Sequence, residues 1–157
     1  TVSVLRFFTV YGPYGRPDMA LFKFTKAILD GDEIELYNNG KMRRDFTYID
    51  DVVTSIFLLV NNFKDLKNIN EPKKNPYRVV NIGSSQKITL LEFLETLERI
   101  LGKKARFKHM PMQPGDMLET FSDSSYLNEL TGFKPSTKLE QGISSFVDWY
   151  KGYYKIN

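Results

Sequence analysis

The sequence contains no cysteine and a single histidine, His109. The absence of cysteine excludes disulfides and thiolate chemistry, and one histidine excludes a histidine-rich metal site. No serine lies in a G-x-S-x-G pattern, which the nucleophile of an α/β-hydrolase needs. There is also no P-loop and no G-x-G-x-x-G pattern, so the chain carries no recognisable phosphate-binding turn of its own. We predict no metal site and assign no catalytic residue.

Long apolar runs and concentrated charge are also absent. No stretch approaches ~18 consecutive apolar residues, so we predict no membrane-spanning helix. The net charge of +3 is spread along the chain, whereas nucleic-acid binding typically requires a concentrated basic face. The first residues show no basic leader or cleavage site typical of a signal peptide. We therefore expect a cytoplasmic protein without a nucleic-acid or membrane partner, and its 157 residues predict one domain.

Strand-like and helix-like patterns alternate along the chain and predict an α/β fold. Strands are predicted over residues 2–10, 34–37, 42–47, 77–82 and 105–108. Helices are predicted over 19–30, 52–63 and 90–101, from Ser122 or Asp123 to Gly132, and after Thr137. The first strand lacks polar alternation, so it is expected to be covered on both faces. Residues 64–76 and 110–117 are predicted loops.

Helix boundaries and buried faces follow from local signals. Asp18 is a predicted N-cap, and Thr89 and Thr137 open predicted capping boxes. Helix C-termini are predicted at three glycines in left-handed conformation: Gly31, Gly102 and Gly132. The predicted inner faces comprise Leu21, Phe24 and Ile28; Val53, Ile56, Phe57 and Val60; Leu90, Phe93, Leu94, Leu97 and Leu101; and Ile143, Phe146, Val147 and Tyr150.

The stretch Gly40 to Asp51 combines an arginine pair with a doubly acidic helix start. Asn39-Gly40 predicts a type I′ hairpin joining the strands at 34–37 and 42–47. Arg43 and Arg44 would then lie on the return strand, just before a helix that Asp50 or Asp51 can cap.

Two interpretations of this arginine pair stay open at this point. Arginines on a rigid strand can hold an anion through two parallel hydrogen bonds. Alternatively, Arg44 forms a structural salt bridge to Asp45 or Asp51.

Tyr37 and Lys41 have the Tyr-x-x-x-Lys spacing of short-chain dehydrogenases. That geometry brings the two side chains together only on a helix. Because Asn38-Asn39-Gly40 predicts a turn between them, we interpret the match as accidental.

Several loop residues have side chains suited to an anionic ligand that carries a base. Arginine suits a diphosphate or a carboxylate, and tyrosine suits a stacked base. The candidates are Thr9, Arg16, Tyr37, Arg44, Gln113 and Asp116. Individually each also has a structural interpretation, such as a solvated loop charge for Arg16 or an Asx-turn for Asp116.

Taken together, five segments resemble the C-terminal half of extended short-chain dehydrogenases of the NAD-dependent epimerase/dehydratase family. The resemblance covers nearly the whole chain and comes nearest to the UDP-glucuronate 4-epimerases. The segments are L-R-F-F-T-V-Y-G-P-Y-G-R-P-D-M-A from Leu5, G-K-M-R-R-D-F-T-Y-I-D-D from Gly40, N-I-G-S from Asn81, M-P-M-Q-P-G-D-M from Met110 and G-F-K-P-S-T-K-L-E-Q-G-I from Gly132.

The resemblance implies a role for each candidate residue. Phe8 and Val10 would line the cofactor NAD, while Thr9 would face the sugar. Thr9 together with Arg16 matches the pattern that accompanies a uronic-acid carboxylate. The remaining roles concern the nucleotide: Tyr37 would stack on the uracil, Arg44 would grip the diphosphate, and Gln113 and Asp116 would contact the ribose or phosphate side. Several relatives have arginine at the Gln113 position and asparagine at the Thr9 position.

The resemblance further implies a fold, a reaction and a partner. Residues 1–157 would form the C-terminal substrate-binding region, with small mixed sheets and about five helices, and residues 2–10 would belong to the Rossmann sheet of an N-terminal half. The family oxidises C4 of a UDP-sugar to a 4-keto intermediate and re-reduces it, here for polysaccharide biosynthesis.

The sequence lacks the family's glycine-rich NAD turn, its catalytic serine or threonine and its helical Tyr-x-x-x-Lys. We therefore expect a fragment that is inactive alone and that associates with an N-terminal half or with a second copy. Two other hypotheses are a non-catalytic sugar-nucleotide binding or interaction subunit, and part of a sugar-nucleotide 4,6-dehydratase.

Overall fold

The computed structural model describes residues 2–62 and 77–156, so the predicted loop at 64–76 lies outside the described residues. Within these residues the helices are α1 (Ala20–Asp30), α2 (Ile49–Asn61), α3 (Leu90–Leu101), α4 (Ser125–Thr131) and α5 (Leu139–Tyr154). The strands are β1 (Val2–Phe7), β2 (Thr9–Tyr11), β3 (Glu33–Tyr37), β4 (Arg43–Arg44), β5 (Phe46–Tyr48), β6 (Tyr77–Ile82), β7 (Ile88–Thr89) and β8 (Arg106–Met110).

The strands form small sheets of two strands each. The pairs β1–β6, β2–β5 and β3–β8 are parallel, and β4–β7 is antiparallel. Small mixed sheets with five helices in the described residues confirm the predicted α/β fold class.

The predicted first strand at 2–10 is divided at Phe8. β1 pairs with β6, whereas β2 pairs with β5, so the chain changes partner between the two strands. The prediction that both faces of this strand are covered is wrong for β1, because Val2 and Val4 are exposed, as is Val79 on β6.

The predicted hairpin between residues 34–37 and 42–47 is wrong. The residues Asn38, Asn39 and Gly40 do adopt positive φ angles of 48°, 52° and 71°. Three such residues in a row form a short 3₁₀ turn, whereas a type I′ turn requires two. The chain therefore leaves β3 in a new direction, and β3 pairs with the distant β8 instead.

Helices α1, α3 and α5 pack their predicted inner faces into one core with β2, β3 and β5. Leu21, Phe24 and Ile28 of α1 are buried as predicted. So are the predicted residues of α5 and all those of α3 except Leu90, which is half-buried against the same core. This core carries β2 on its surface, and β2 contains Thr9.

Helix α2 turns a different face inward from the one predicted. Val52, Ser55 and Leu59 are buried, and Ile56 is half-buried against the same second core cluster. The predicted inner residues Val53, Phe57 and Val60 are exposed by 54%, 64% and 65%. Apolar residues occur on both sides of this helix, so their spacing alone does not identify the buried side.

The helix-end predictions are confirmed at all three glycines and mostly wrong at N-caps. Gly31, Gly102 and Gly132 all have left-handed φ angles at helix C-termini. Thr89 Oγ1 accepts the N–H of Glu92 at 3.1 Å, which confirms this N-cap. Asp18 and Thr137 are not caps, because α1 begins at Ala20 behind Met19 and α5 at Leu139 behind Lys138.

The acidic pair at the start of α2 does not cap it either, since Tyr48 holds that position. Asp50 and Asp51 lie in the first turn, where negative charge is favourable next to the helix N-terminus. Asp51 also accepts the N–H groups of Ser136 and Thr137 at 3.1 and 2.9 Å, which ties α2 to the segment before α5. None of the helices in the described residues combines the length and hydropathy needed to span a bilayer.

Candidate functional site

Arg44 on β4 forms an ion pair with Asp116 of the loop 110–117. The distance from Arg44 Nη2 to Asp116 Oδ1 is 2.8 Å, and Nη1 donates to the Met117 carbonyl oxygen at 2.7 Å. The predicted alternative, a salt bridge from Arg44 to Asp45 or Asp51, is therefore wrong. These two hydrogen bonds hold the guanidinium in place, and the Arg44 side chain is 20% exposed.

Arg43 points to a separate partner. Its guanidinium lies 3.5 Å from Glu119, and its side chain is 55% exposed. Glu119 also pairs with Lys87 at 2.5 Å, and this contact is the main reason why the pKa of Glu119 is lowered. Arg43 thus belongs to a surface ion-pair group rather than to the Arg44–Asp116 pair.

Tyr37 lies where the loop 110–117 begins, because β3 pairs Tyr37 with Met110. Its hydroxyl donates to Glu35 Oε2 at 2.5 Å, which raises the pKa of Tyr37, while the nearby side chain of Gln113 opposes that shift. The parallel pairing of β3 with β8 therefore brings the aromatic ring and this loop together.

Thr9 and Arg16 line the same cavity of about 40 Å³, which is otherwise lined largely by apolar side chains such as Phe46 and Phe93. The guanidinium of Arg16 binds Asp18 through Nε at 3.0 Å and Nη2 at 2.5 Å. This hydrogen bonding lowers the pKa of Asp18 and raises that of Arg16. A carboxylate ligand at Arg16 would exchange with Asp18.

Phe8 and Val10 line a neighbouring groove of about 330 Å³. Arg16 and Met19 line both the groove and the cavity. Val10 also lines both, so the two spaces are adjacent along the segment that follows Thr9.

Asp45 connects the arginine side of the site to Thr9, a role that was not predicted from the sequence. It is fully buried, and its carbonyl oxygen accepts the N–H of Thr9 at 3.0 Å. The available signal was an acid between an arginine pair and a short apolar strand, which is an unusual place for a carboxylate to be buried.

Other residues considered for chemistry do not join this group. Tyr37 and Lys41 flank the 3₁₀ turn and share no helix, so they lack the geometry of a dehydrogenase Tyr–Lys pair. His109 lies on β8 against the ring of Phe107, 5.3 Å between centroids. Within residues 2–62 and 77–156, no group of three His, Asp or Glu side chains could hold a metal.

The sequence profile of the NAD dependent epimerase/dehydratase family matches residues 1–83. The chain belongs to this family. It is 48% identical over 164 residues to protein CapI of Staphylococcus aureus, covering 96% of this chain and 47% of the relative. It is also 48% identical over 158 residues to a probable UDP-glucuronate 4-epimerase of Rhizobium meliloti, covering 96% of this chain and 46% of the relative.

Solved structures of the epimerase/dehydratase family show the same fold. The UDP-glucuronic acid 4-epimerase of Bacillus cereus, in complex with UDP-glucuronic acid and NAD, superposes with a TM-score of 0.82 at 33% identity. The alignment covers 97% of this chain and 46% of that protein. The chain thus spans about half the length of the relatives that it matches.

Proposed function

We propose that this chain forms the sugar-nucleotide-binding region of an NAD-dependent sugar-nucleotide 4-epimerase whose substrate is UDP-glucuronate. The observation that carries the proposal is that the loop 110–117 reaches two of the candidate residues: Met110 at its start pairs with Tyr37, and Asp116 near its end binds Arg44. A tyrosine ring and a fixed guanidinium suit the base and the diphosphate of a nucleotide. The UDP-glucuronate 4-epimerases among the relatives support this choice of ligand.

Each nucleotide contact has a proposed residue. Tyr37 stacks on the uracil, and Arg44 binds the diphosphate. Gln113 and Asp116 contact the ribose or phosphate side. Because Asp116 already holds Arg44, the diphosphate has to share this guanidinium with a carboxylate.

The sugar is proposed to lie beside Thr9 and Arg16 at the mouth of the cavity that they line, because a volume of about 40 Å³ is too small for a hexose ring. Thr9 faces the sugar ring, and Arg16 binds the uronate carboxylate in exchange for Asp18. The exchange is feasible because the Arg16 and Asp18 side chains are 74% and 59% exposed.

Phe8 and Val10 are proposed to line the nicotinamide of NAD. The groove that they share is apolar along much of its length, which fits one face of a nicotinamide ring. When NAD is bound, it supplies the removal and return of hydride at C4 of the sugar. This chain contributes binding and orientation, and we assign none of its residues to proton transfer.

Two exposed apolar surfaces, one on the β1–β6 sheet and one on α2, are proposed to bind the N-terminal half of such an enzyme. Val2, Val4, Tyr77 and Val79 form the strand surface, and Val53, Phe57 and Val60 form the outer face of α2; all are at least 44% exposed. Exposed apolar surfaces of this kind mark interaction sites. The relatives are about twice as long as this chain, which leaves a polypeptide of similar size to cover them. β1 would then join a larger Rossmann sheet through its free edge.

The proposal also covers the catalytic activity of the chain alone and its cellular location. Residues 1–157 act as a substrate-binding region that is inactive alone and that binds NAD mainly through its partner half. We place the protein in the cytoplasm, where its lack of cysteine fits a reducing compartment. There it would provide sugar nucleotides for polysaccharide biosynthesis.

Calorimetric titration of the chain with UDP tests the proposal. Arg44→Ala is expected to lower the affinity for UDP by about tenfold, because it removes a charge-assisted hydrogen bond. Arg43→Ala is the matched control, since this neighbour bonds to Glu119 instead. Equal effects of both substitutions, or epimerisation of UDP-glucuronate by the chain alone, would contradict the proposal.

A further inference from the structure

The carboxylate of Asp45 is fully buried and saturated with hydrogen bonds. It accepts six of them, at 2.5 to 3.2 Å, from two serine hydroxyls, one threonine hydroxyl and three backbone N–H groups. The donors belong to Thr47, Ser84, Ser85 and Ser122. Burying a carboxylate is unfavourable unless such donors surround it. The arrangement therefore fixes the relative positions of the three chain segments that supply the donors.

The backbone of Asp45 forms hydrogen bonds toward both parts of the candidate site, the strand of Thr9 and the segment after the loop of Asp116. The Asp45 carbonyl oxygen accepts the N–H of Thr9, and the Asp45 N–H donates to Thr120 Oγ1 at 3.3 Å. Residues 118–120 run beside Arg43, with N–H to oxygen bonds in both directions at 2.9 and 3.1 Å. Asp45 thus contacts the strand of Thr9 and the segment that follows the Asp116 loop.

The turn at Gly83 shows how closely these segments approach one another. A Cβ at Gly83 would lie 2.5 Å from Ser122 Cβ and 3.2 Å from Asp45 Oδ2. Ser124 Oγ donates to the Gly83 carbonyl oxygen at 2.8 Å, which closes the turn from its other side. The backbone at Gly83 therefore packs directly against Ser122 and the Asp45 carboxylate.

We propose that Asp45 is a positioning residue that sets the spacing between Thr9 at the sugar end of the site and the Arg44–Asp116 pair at the diphosphate end. This inference rests on the proposed function. Asp45 does not touch the ligand. It acts through the backbone of Thr9 and through the segments at 84–85 and 118–122, which hold the loop that carries Asp116.

Asp45→Asn tests the inference in the ligand-free chain, because the amide keeps the size but replaces one acceptor oxygen with a donor. The readout is the backbone amide spectrum with hydrogen exchange, measured by NMR. We expect shifted amide signals at Thr9, Arg44 and Met117, and faster exchange of the Thr9 N–H. Glu98→Gln is the matched control, since Glu98 is another buried carboxylate and bonds to Lys104 and Ala105 instead.

Asp45 does not set the spacing between Thr9 and the Arg44–Asp116 pair if Asp45→Asn leaves the three amide signals unchanged. The same conclusion follows if Glu98→Gln shifts those signals equally. Should Asp45→Asn fail to fold, Ser122→Ala replaces it. This variant removes one hydroxyl donor to Asp45 and keeps the Ser122 N–H bond. It is expected to shift the Thr9 and Met117 amides in the same direction by a smaller amount, and unchanged amides would again overturn the inference.

A double-mutant cycle of Asp45 and Arg44, with UDP affinity as the readout, then tests whether Asp45 positions Arg44 for binding. Asp45→Asn is expected to lower UDP affinity, and Arg44→Ala should lower it by about tenfold in the parent but by less in the Asp45→Asn background. Additive effects would show that Asp45 does not position Arg44. An unsubstituted chain that fails to bind UDP would refute the proposed function, while the amide measurement would still decide the role of Asp45.

Discussion

Gly142 of α5 lies directly against the ring of Tyr11 on β2. A Cβ at Gly142 would be 2.7 Å from Tyr11 Cζ, well inside van der Waals contact. The absence of a side chain at Gly142 thus lets α5 approach the strand that also carries Thr9. Tyr11 in turn contacts the rings of Phe46 and Tyr48 at centroid distances of 6.2 and 5.8 Å. The close approach of α5 to Tyr11 therefore packs the helix against the aromatic residues beside the strand of Thr9.

Gly142→Ala and Gly152→Ala form a matched pair within α5. Nothing lies within 4 Å of a Cβ added at Gly152, so alanine there should raise the free energy of unfolding by about 0.5–1 kcal/mol through better helix propensity. At Gly142 the same substitution should lower it by about 1–3 kcal/mol, because the ring of Tyr11 has to move. Urea denaturation measures both values, and a stabilising Gly142→Ala would show that the contact is loose.

Alkaline pH is expected to destabilise the protein through Tyr11. Burial raises the pKa of the Tyr11 hydroxyl, and the charge of Asp51 adds to the shift. The folded state therefore keeps this proton at pH values where the unfolded chain, with a tyrosine pKa of about 10, releases it. The contribution of Tyr11 to the free energy of unfolding is present below pH ~10. Above pH ~10 it falls, by up to about 1.4 kcal/mol per pH unit.

Tyr11→Phe should remove this part of the alkaline loss of stability. The measurement is the free energy of unfolding in urea between pH 8 and pH 11. Tyr153→Phe, at a position that is 64% exposed, should leave the pH dependence as it is in the parent. Identical curves for Tyr11→Phe and the parent would rule out Tyr11 as the source.

Local sequence signals predicted the features that depend on neighbouring residues. Thr89 caps α3 because its hydroxyl needs only the N–H three residues ahead. Gly31 ends α1 because glycine alone adopts its φ of 78° without steric cost. The helical spacing of Leu21, Phe24 and Ile28 likewise identifies one buried stripe.

Contacts between distant residues could not be predicted in this way. Arg44 binds Asp116, 72 positions away, although two nearer acids were available. Asp45 is directed inward by donors that lie 39 and 77 positions away, at Ser84 and Ser122. Three left-handed residues after Tyr37 take the place of the predicted hairpin turn, and no spacing rule specifies β8 as the partner of β3. Side-chain chemistry selected most of the candidate residues and the motif resemblance assigned their binding roles, which stay predictions.

Arg16 is expected to determine the preference for a uronate over a neutral sugar. Arg16→Ala should reduce the ratio of UDP-glucuronate to UDP-glucose affinity to about one, because a guanidinium–carboxylate pair is lost. Asp18→Asn should raise UDP-glucuronate affinity, since it removes the carboxylate that competes for Arg16. Calorimetry with both ligands measures the ratio.

Arg106→Ala provides the control for that ratio. Arg106 lies on β8 and donates to the carbonyl oxygen of Gly31, so its removal changes the charge equally without altering the cavity of Thr9 and Arg16. A ratio that falls equally in Arg106→Ala would assign the preference to net charge. A ratio that is unchanged in Arg16→Ala would exclude Arg16 as the uronate ligand.

The exposed apolar face of α2, formed by Val53, Phe57 and Val60, is expected to make the isolated chain self-associate. Phe57→Lys places a charge in the middle of the α2 stripe and should return the light-scattering mass toward the 18.3 kDa of one chain. Tyr153→Lys is the matched control, because Phe57 and Tyr153 are both 64% exposed but Tyr153 lies on α5. The separately expressed N-terminal half of a relative should also disperse the self-associated form by covering this face. A parent chain that stays monomeric at high concentration, or an equal response to Tyr153→Lys, would show that this face is not the contact.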